Sequence, residues 1–434
     1  MAGKKTQAQL TPEEKLQQAL VPTAEQPYKV PANWCWTRLD KIVFITTGKK
    51  DANYGHENGK FPFFTCASEP IRCDDYSFDG ESLLLPGNGA NVGLVIYYNG
   101  KFEAYQRTYV LQSISKNFYL KFIYYNILTF WKEYNKDKQY GSATNYIKLG
   151  NFKNYCVPLP PLTEQQRIVE RIESLFSKLY EAKENLQNVL DGFETRKAAI
   201  LHKAFTGELT AKWRKQHVVS MESWEEKKLG DCGSLQRGRS KHRPRNDSRL
   251  FGEKYPFIQT GDVANAEMYI INHSKMLSDF GLQQSKIFPK GTLCITIAAN
   301  IGKVGILTYD CCFPDSVVGF LPNNENICEF IYYKLTTLQK ELEELAPATA
   351  QKNINLKLLN DLKINMPTLD EQTEIVRIID YLLAKEQQAK ELAENALAKI
   401  ELIKKSILAR AFRGELGTNN PADEPAVELL KRVL

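Results

Sequence analysis

The stretch PLPPLTEQQRIVERI, residues 158–172, returns 207 residues later as NMPTLDEQTEIVRII, residues 365–379. Aligned without a gap at this offset, residues 158–209 and 365–416 are identical at 23 of 52 positions. Identity of this extent without a gap indicates an internal duplication. The chain is therefore expected to consist of two related halves that each end in the repeated stretch.

Each copy of the repeat is predicted to be one long helix. The signals are a proline before the helix, an N-cap residue and a glycine after it: Pro160, Thr163 and Gly207 in the first copy, and Pro367, Asp370 and Gly414 in the second. Roughly 40 residues lie between these signals, which corresponds to about 60 Å of helix at 1.5 Å per residue.

Apolar residues in both copies recur at alternating spacings of four and three, the heptad pattern of a coiled coil. Arg196 interrupts this pattern in the first copy and Glu386 interrupts it in the second. The simplest partner for each apolar seam is the other one, which predicts an intramolecular helix pair; the alternative is two amphipathic helices, each buried on its own domain. The predicted seam residues are Ile168, Ile172, Leu175, Leu179, Leu186, Phe193, Ile200, Ile375, Ile379, Leu382, Ile400, Ile403 and Ile407.

The regions before the two helices are predicted to be globular domains of mixed helices and strands, which places the fold in the α+β class. SLLLPG, GLVIYY, TYVLQSI, GTLCITIA and KVGILTY are typical of short strands, and residues 117–134 and 327–345 are typical of amphipathic helices. The predicted divisions are 1–30 (N-terminal segment), 31–160 (first domain), 161–207 (first helix), 208–223 (linker), 224–367 (second domain), 368–414 (second helix) and 415–434 (tail).

The loops of the two domains differ where their scaffolds agree, and this places function in the loops. Arg, Lys, Asn and Gln are the side chains that hold phosphates and read base edges, and the loop at residues 236–249 is rich in them; a solvated charged loop is the alternative interpretation. The candidate DNA-binding residues are Lys49, Lys50, Asn53, Tyr54, Lys60, Lys138, Gln139, Tyr140, Ser142, Thr144, Asn145, Arg237, Arg239, Lys241, Arg243, Arg245, Lys303, Thr349, Gln351 and Lys352.

The composition excludes several classes of protein. The net charge of +6 on 434 residues permits a nucleic-acid partner without requiring one. The nine cysteines include no C-x-x-C pair, which indicates reduced thiols and no zinc site, and the lack of a long apolar run predicts a cytoplasmic protein without a membrane span. Since no nucleotide-binding loop or catalytic motif is found, we predict a binding protein with no catalytic residues and no metal.

The repeats PLPPLTEQQRIVERI…RKAAILHKAFTGEL and MPTLDEQTEIVRII…KKSILARAFRGEL resemble the two helical spacer regions of type I restriction–modification specificity subunits. The half-repeats before them, with Trp34 and Trp224 near their starts, resemble the paired target-recognition domains. The resemblance implies that each domain reads one half of an interrupted, asymmetric double-stranded DNA site. It also implies that the helices pack antiparallel, with a pseudo-twofold relation between the repeats, and that the N- and C-terminal segments are neighbours.

The resemblance further implies the partners and cofactors. Two modification subunits would bind S-adenosylmethionine and methylate adenine, and two restriction subunits, where present, would use ATP and Mg, so this chain itself would hold no cofactor. Two other hypotheses stand beside this one: a scaffold that bridges proteins through the coiled coil, and an enzyme with an unrecognised site. The basic loop at residues 236–249 favours DNA recognition over both.

Overall fold

The computed structural model describes residues 11–141, 145–345 and 353–434 of the chain. It divides into two compact units. Unit 1 comprises residues 1–186 and 395–434, and unit 2 comprises residues 187–394. Each unit therefore contains one globular domain, the beginning of one long helical segment and the end of the other, and each has its own hydrophobic core.

Unit 1 is built on an antiparallel four-stranded sheet with the order Val43–Thr47, Thr108–Ser113, Glu81–Pro86 and Ile96–Asn99. A second sheet joins Ile71–Cys73, Phe61–Phe64 and Glu103–Ala104, and a two-stranded ladder joins Cys35–Arg38 to Cys156–Leu159. The other helices of unit 1 are Pro12–Ala19, Leu120–Tyr134, Leu149–Lys153 and Ala426–Lys431.

Unit 2 repeats this strand order. Its main sheet runs Gly233–Arg237, Val317–Pro322, Leu293–Thr296, Val304–Leu307 and Tyr269–Ile270; its second sheet runs Lys275–Leu277, Phe251–Phe257, Cys311–Cys312 and Ile287–Phe288; and Glu225–Lys228 pairs with Lys363–Met366. Its shorter helices are Ala211–His217, Leu229–Cys232, Thr260–Ala264, Asp279–Gln283, Cys328–Thr337, Gln339–Leu345 and Leu356–Asn360. The predicted α+β fold with an internal repeat is confirmed.

The long helical segments differ from each other in continuity. The second is one helix, Leu369–Ala411, but the first is divided at Gly192 into Leu162–Asp191 and Phe193–Phe205. The prediction of one uninterrupted first helix was wrong at this position, because glycine is a poor helix former and the heptad count does not weigh it.

The predicted N-cap residues also lie elsewhere. Both helices begin two residues earlier than N-caps at Thr163 and Asp370 would require, at Leu162 and Leu369, so Thr163 and Asp370 belong to the first turn. The first intrahelical hydrogen bonds end on the carbonyl groups of Pro161 and Thr368, at 2.9 Å in both cases. The repeated proline segment therefore supplies the first acceptor itself.

Within each unit the helical segments run antiparallel. In unit 1 the Lys404 ammonium lies 4.4 Å from the ring centre of Tyr180, and in unit 2 the Lys390 ammonium lies 4.8 Å from that of Phe193. The early residues Ile168 and Ile172 share one core with the late residue Phe412. The predicted antiparallel pairing is thus observed in both units.

The predicted seam residues differ in burial. Ile168, Ile172, Ile375, Ile379 and Ile400 are buried. Those that are half-buried are Leu175, Leu179, Leu186, Phe193, Ile200, Leu382 and Ile407. Ile403 is 44% exposed, so it lies at the edge of the seam and not within it as predicted. The neighbouring residue Lys404 contacts the first helix instead. Its ammonium group lies over the rings of Phe176 and Tyr180, and its long side chain covers them.

Candidate nucleic-acid interface

The beginning of each long helix is joined to its domain by a buried carboxylate. Glu164 accepts a hydrogen bond from the Trp34 indole at 2.7 Å in unit 1, and Glu371 accepts one from the Trp224 indole at 3.0 Å in unit 2. The next residue, Gln165 or Gln372, accepts the first free backbone N–H of a domain helix, from Tyr119 or Ile327. The strongest identities of the repeat therefore attach the domains to the helices, and the loops lie on this fixed base.

The buried carboxylate at the start of each long helix has different partners in the two units. In unit 2, Glu371 is fully buried and forms an ion pair of 2.6 Å with Arg214 and a hydrogen bond of 2.7 Å with Thr210. In unit 1, Glu164 receives the neutral amide of Asn419 at 2.8 Å. Burial raises the pKa of the Glu164 carboxyl, while its hydrogen bonds from Trp34 and Asn419 partly offset this effect.

The C-terminal segment packs beside the start of the first long helix in unit 1. Asp423 forms an ion pair with Arg167, and the Lys15 ammonium donates to the carbonyl oxygen of Leu434 at 2.8 Å. The expected proximity of the N- and C-terminal segments is therefore observed in this unit.

The basic loop of unit 2 is a folded structure held by its own arginines. Arg239 donates to the carbonyl of Gln283 at 3.0 Å, and Arg243 donates to the carbonyls of Ser240 and His242 at 2.7 and 2.8 Å. Lys241 is exposed, and its backbone N–H is fixed on the carbonyl of Gln284 at 3.1 Å. The loop thus presents its cations on a fixed backbone.

Asp315 organises the remaining arginines of this loop. Its carboxylate accepts two hydrogen bonds from Arg245, at 2.9 and 3.0 Å, and its backbone carbonyl accepts one from Arg237. Arg237 and Arg245 line a cleft of about 750 Å³ together with residues 298–301, Asp315, Ser316 and Asn353. Arg245 also lines a neighbouring cavity of about 410 Å³ with Arg239. The structure therefore brings together three of the predicted arginines around open space.

Lys303 is separated from this cleft. Its backbone N–H is bonded to the hydroxyl of Thr296 at 3.0 Å, and the residue lines a groove beside Glu194 and Lys197 of the helix Phe193–Phe205. The structure thus places Lys303 apart from the arginines, and DNA contact by Lys303 stays a prediction.

The first basic loop of unit 1 is ordered by an aromatic side chain. The Lys50 ammonium lies 4.0 Å from the ring centre of Tyr54, whose hydroxyl donates to Asp75 at 2.7 Å. Lys49, Asn53 and Lys60 are exposed. Tyr54 therefore acts as a support for Lys50, which leaves the other three side chains free to meet a partner.

Equivalent glycines start the basic loops of the two units. A Cβ atom on Gly48 would lie 1.8 Å from the Ala104 carbonyl oxygen, and one on Gly238 would lie 2.3 Å from that of Pro314. Any other residue would push the loop away from the second sheet. Both loops consequently leave the scaffold at the same place, although their sequences differ.

The second loop of unit 1 presents stacked tyrosines. Tyr140 and Tyr146 are 44% and 37% exposed, with ring centres 5.5 Å apart, and the Lys148 ammonium lies 4.1 Å from the Tyr140 ring. The sequence predicted Tyr140 but not Tyr146 or Lys148, which are brought beside it by the backbone pairing of residues 140 and 146. Exposed aromatic rings beside a cation suit contact with nucleic-acid bases or sugars.

The other predicted residues of this loop have mixed positions. The Lys138 ammonium rests on Tyr134 at 3.5 Å, and Gln139 is half-buried beside it. Asn145 is exposed, and its backbone carbonyl accepts a hydrogen bond from Gly89 at 2.8 Å. Ser142, Thr144, Thr349, Gln351 and Lys352 lie outside the described residues.

The same loop contact occurs in both units. Ile147 donates its backbone N–H to Gly87 at 2.9 Å in unit 1, and Ile354 donates to Ile297 at 2.9 Å in unit 2. Ile147 and Ile354 are therefore fixed at corresponding positions of the two units, where the turns at residues 87–93 and 298–302 begin.

Other kinds of site find little support in the described part of the chain. Within residues 11–141, 145–345 and 353–434, no helix is both long and apolar enough to cross a membrane, and no three His, Cys, Asp or Glu residues stand together as metal ligands. All nine cysteines are free thiols. Burial raises the pKa of the Cys35 and Cys328 thiols to about 12, which suppresses the reactive thiolate form.

Comparison of the sequence with known proteins identifies the family to which the chain belongs. The type I restriction modification DNA specificity domain matches residues 31–191 and again residues 221–396. The specificity subunit of the type I restriction enzyme EcoDI from Escherichia coli is 30% identical over 423 residues, which cover 92% of each chain. The chain therefore belongs to the family of type I restriction–modification specificity subunits. The prediction of a DNA-recognition subunit rather than an enzyme is confirmed at the level of this family.

Solved structures agree with the fold. The crystal structure of the HsdS subunit from Thermoanaerobacter tengcongensis has a TM-score of 0.67 at 18% identity and covers 91% of this chain and all of that one. A chain from a study of complex assembly and conformational transition of the type I restriction–modification system has a TM-score of 0.61 at 19% identity and covers 90% of this chain and all of that one.

Proposed function

We propose that this chain reads a bipartite, asymmetric site on double-stranded DNA, with each domain reading one half-site through its variable loops. The observation that supports this most strongly is the placement of unlike loops on like scaffolds. The arginine loop of unit 2 and the lysine–tyrosine loops of unit 1 leave their domains at corresponding positions. Different side chains at corresponding positions would read different sequences.

The helix pair is proposed to set the number of unread base pairs between the half-sites. The second helix has 43 residues and is about 65 Å long at 1.5 Å per residue. This exceeds one turn of DNA, about 34–36 Å, so the pair can hold two reading domains more than a turn apart.

The same helices are proposed to dock two modification subunits, which would bind S-adenosylmethionine and methylate adenine. Exposed apolar side chains on the helices favour a protein partner: Tyr381, Leu392 and Leu402 are 59%, 63% and 64% exposed. Two restriction subunits with ATP and Mg would join where the system has them. This chain would contribute recognition, hold no cofactor and act in the cytoplasm.

A DNA-binding titration over a range of salt concentrations tests the reading of DNA. In the assembled complex, R237A/R239A/R243A should weaken binding and reduce the salt slope by up to about 3, since each lost phosphate contact removes about 0.9. The triple variant K178A/K183A/K385A, which removes three exposed cations from the helices, is the control. Its DNA binding should keep the salt slope of the unchanged chain. An unchanged slope in the loop variant would mean that the loop faces solvent rather than DNA.

A further inference from the structure

Arg196 and Glu386, the two residues that interrupt the heptad patterns, meet each other in unit 2. The Arg196 Nε atom donates to Glu386 Oε2 at 2.7 Å, and both side chains are partly buried, at 38% and 23% exposure. Each interruption of the apolar pattern is therefore matched by an interruption of opposite charge on the other helix.

The break at Gly192 makes room for this pair. Arg196 also donates through Nη2 to the backbone carbonyl of Val189 at 2.8 Å, across the break. A Cβ atom on residue 192 would lie 2.4 Å from Arg196 Nη1, so a larger residue would displace the guanidinium. The Arg196 guanidinium is thus held between Val189, on the helix before the break, and Glu386, on the second long helix.

The repeat makes this pair asymmetric. At the offset of 207, Arg196 corresponds to Ile403 and Glu386 corresponds to Leu179. If unit 1 repeats the pairing of unit 2, Leu179 faces Ile403, next to the observed contact between Tyr180 and Lys404. The helices thus join a polar pair in one unit and an apolar pair in the other.

Pairing between like helices of two chains would separate Arg196 from Glu386 and Leu179 from Ile403. In a pair of two first helices, each Arg196 would face Leu179, and in a pair of two second helices, each Glu386 would face Ile403. A partly buried charge without a partner is unfavourable, and polar residues at seam positions are known to select partner and orientation in coiled coils. Elsewhere in the seam the repeats carry no other charged residue, although Leu186, Val189 and Phe193 correspond to the smaller Ala393, Ala396 and Ile400.

We propose that the Arg196–Glu386 pair makes each first helix pair with a second helix and disfavours pairing between like helices of two copies of this chain. The inference goes beyond the proposed function, because it concerns how the chain pairs with itself in the absence of DNA and of other subunits.

Two full-length copies with different affinity tags, produced together in one cell, test this proposal. The measured quantity is the fraction of one copy that copurifies with the other, with light scattering to identify a dimer at twice 49.6 kDa. R196I/E386L gives each helix the residue of its counterpart and removes the selection by charge. Copurification should rise at least ~tenfold over the unchanged chain.

A second pair of variants keeps the test decisive if R196I/E386L folds poorly. L179E/I403R adds a charge pair that also satisfies like-helix pairing, since Arg196 would then face a carboxylate introduced at position 179, so exchange should increase. L179R/I403E has the same residue types but would set Arg196 against a second guanidinium at position 179, so its copurification should stay at the level of the unchanged chain. The proposal is overturned if R196I/E386L or L179E/I403R exchanges no more than the unchanged chain, or if L179R/I403E exchanges as much as L179E/I403R.

Discussion

Replacing Glu371 with Ala should destabilise unit 2 more than any change on the helix surface. Glu371 is fully buried, and its partner Arg214 is only 9% exposed. Loss of the carboxylate leaves the Arg214 guanidinium buried without its counter-charge and removes the acceptor of Thr210 and Trp224. Breaking a buried ion pair from one side costs about 3–5 kcal/mol.

Scanning calorimetry of the full chain measures this effect as a shift of the unit 2 transition. Unit 2 spans residues 187–394, and for a domain of this size each kcal/mol lowers the midpoint by about 2–4 °C, so E371A should lower it by ~6–20 °C. The matched control is E374A, three residues along the same helix, which removes an ion pair with the exposed Arg377 and should cost only about 0–1 kcal/mol.

A second variant separates the charge effect from the loss of packing. R214M/E371L removes both partners and should be more stable than E371A, because no charge is left buried alone. Equal unfolding temperatures of E371A and E374A, or a lower stability of R214M/E371L than of E371A, would show that the buried ion pair does not hold unit 2 together.

Three further outcomes are expected. Because the folded pKa of Glu164 is raised, the stability this carboxyl contributes is present below its unfolded pKa, about 4.3, and is lost as pH rises through the folded value; E164Q should therefore flatten the fall in the unit 1 unfolding midpoint between pH 4 and 7. Y140A/Y146A should lower the affinity of the assembled complex for its site, as measured by titration, while Tyr76→Ala, which also removes an exposed ring, should not. D315A removes the carboxylate that holds Arg245 and should lower the ratio of specific to non-specific binding, measured by competition with unrelated DNA.

The sequence predicted the parts of the fold that depend on repetition and periodicity. The gap-free repeat predicted two related halves, and the apolar spacing predicted the long helices. Both predictions depend only on the local sequence pattern. Gly192 and Ile403 were missed for the same reason: a heptad count records which positions are apolar, not whether the backbone is continuous or which side chain the partner covers. Arg196 and Glu386 were recognised as exceptions, but their contact depends on the register between two distant segments.

The candidate interface was predictable only in part. Charge density identified the loop at residues 236–249, yet the fixing of its arginines on Asp315 and on backbone carbonyls depends on strands far along the chain. The stacking of Tyr140 on Tyr146 follows from the backbone pairing of these two residues, which the sequence pattern does not predict. The position of Lys303 beside a helix could not be predicted, because a cation next to glycine looks the same in sequence whether it faces a cleft or a helix.

The most direct test of the account is a map of methylated adenines made with a lengthened chain. One heptad, about 10 Å of helix, is inserted into both long helices at corresponding positions, and the assembled complex with modification subunits methylates genomic DNA. The account predicts two unchanged half-site sequences separated by an altered number of base pairs. Methylation at the original spacing, or at sites without a bipartite sequence, would contradict it.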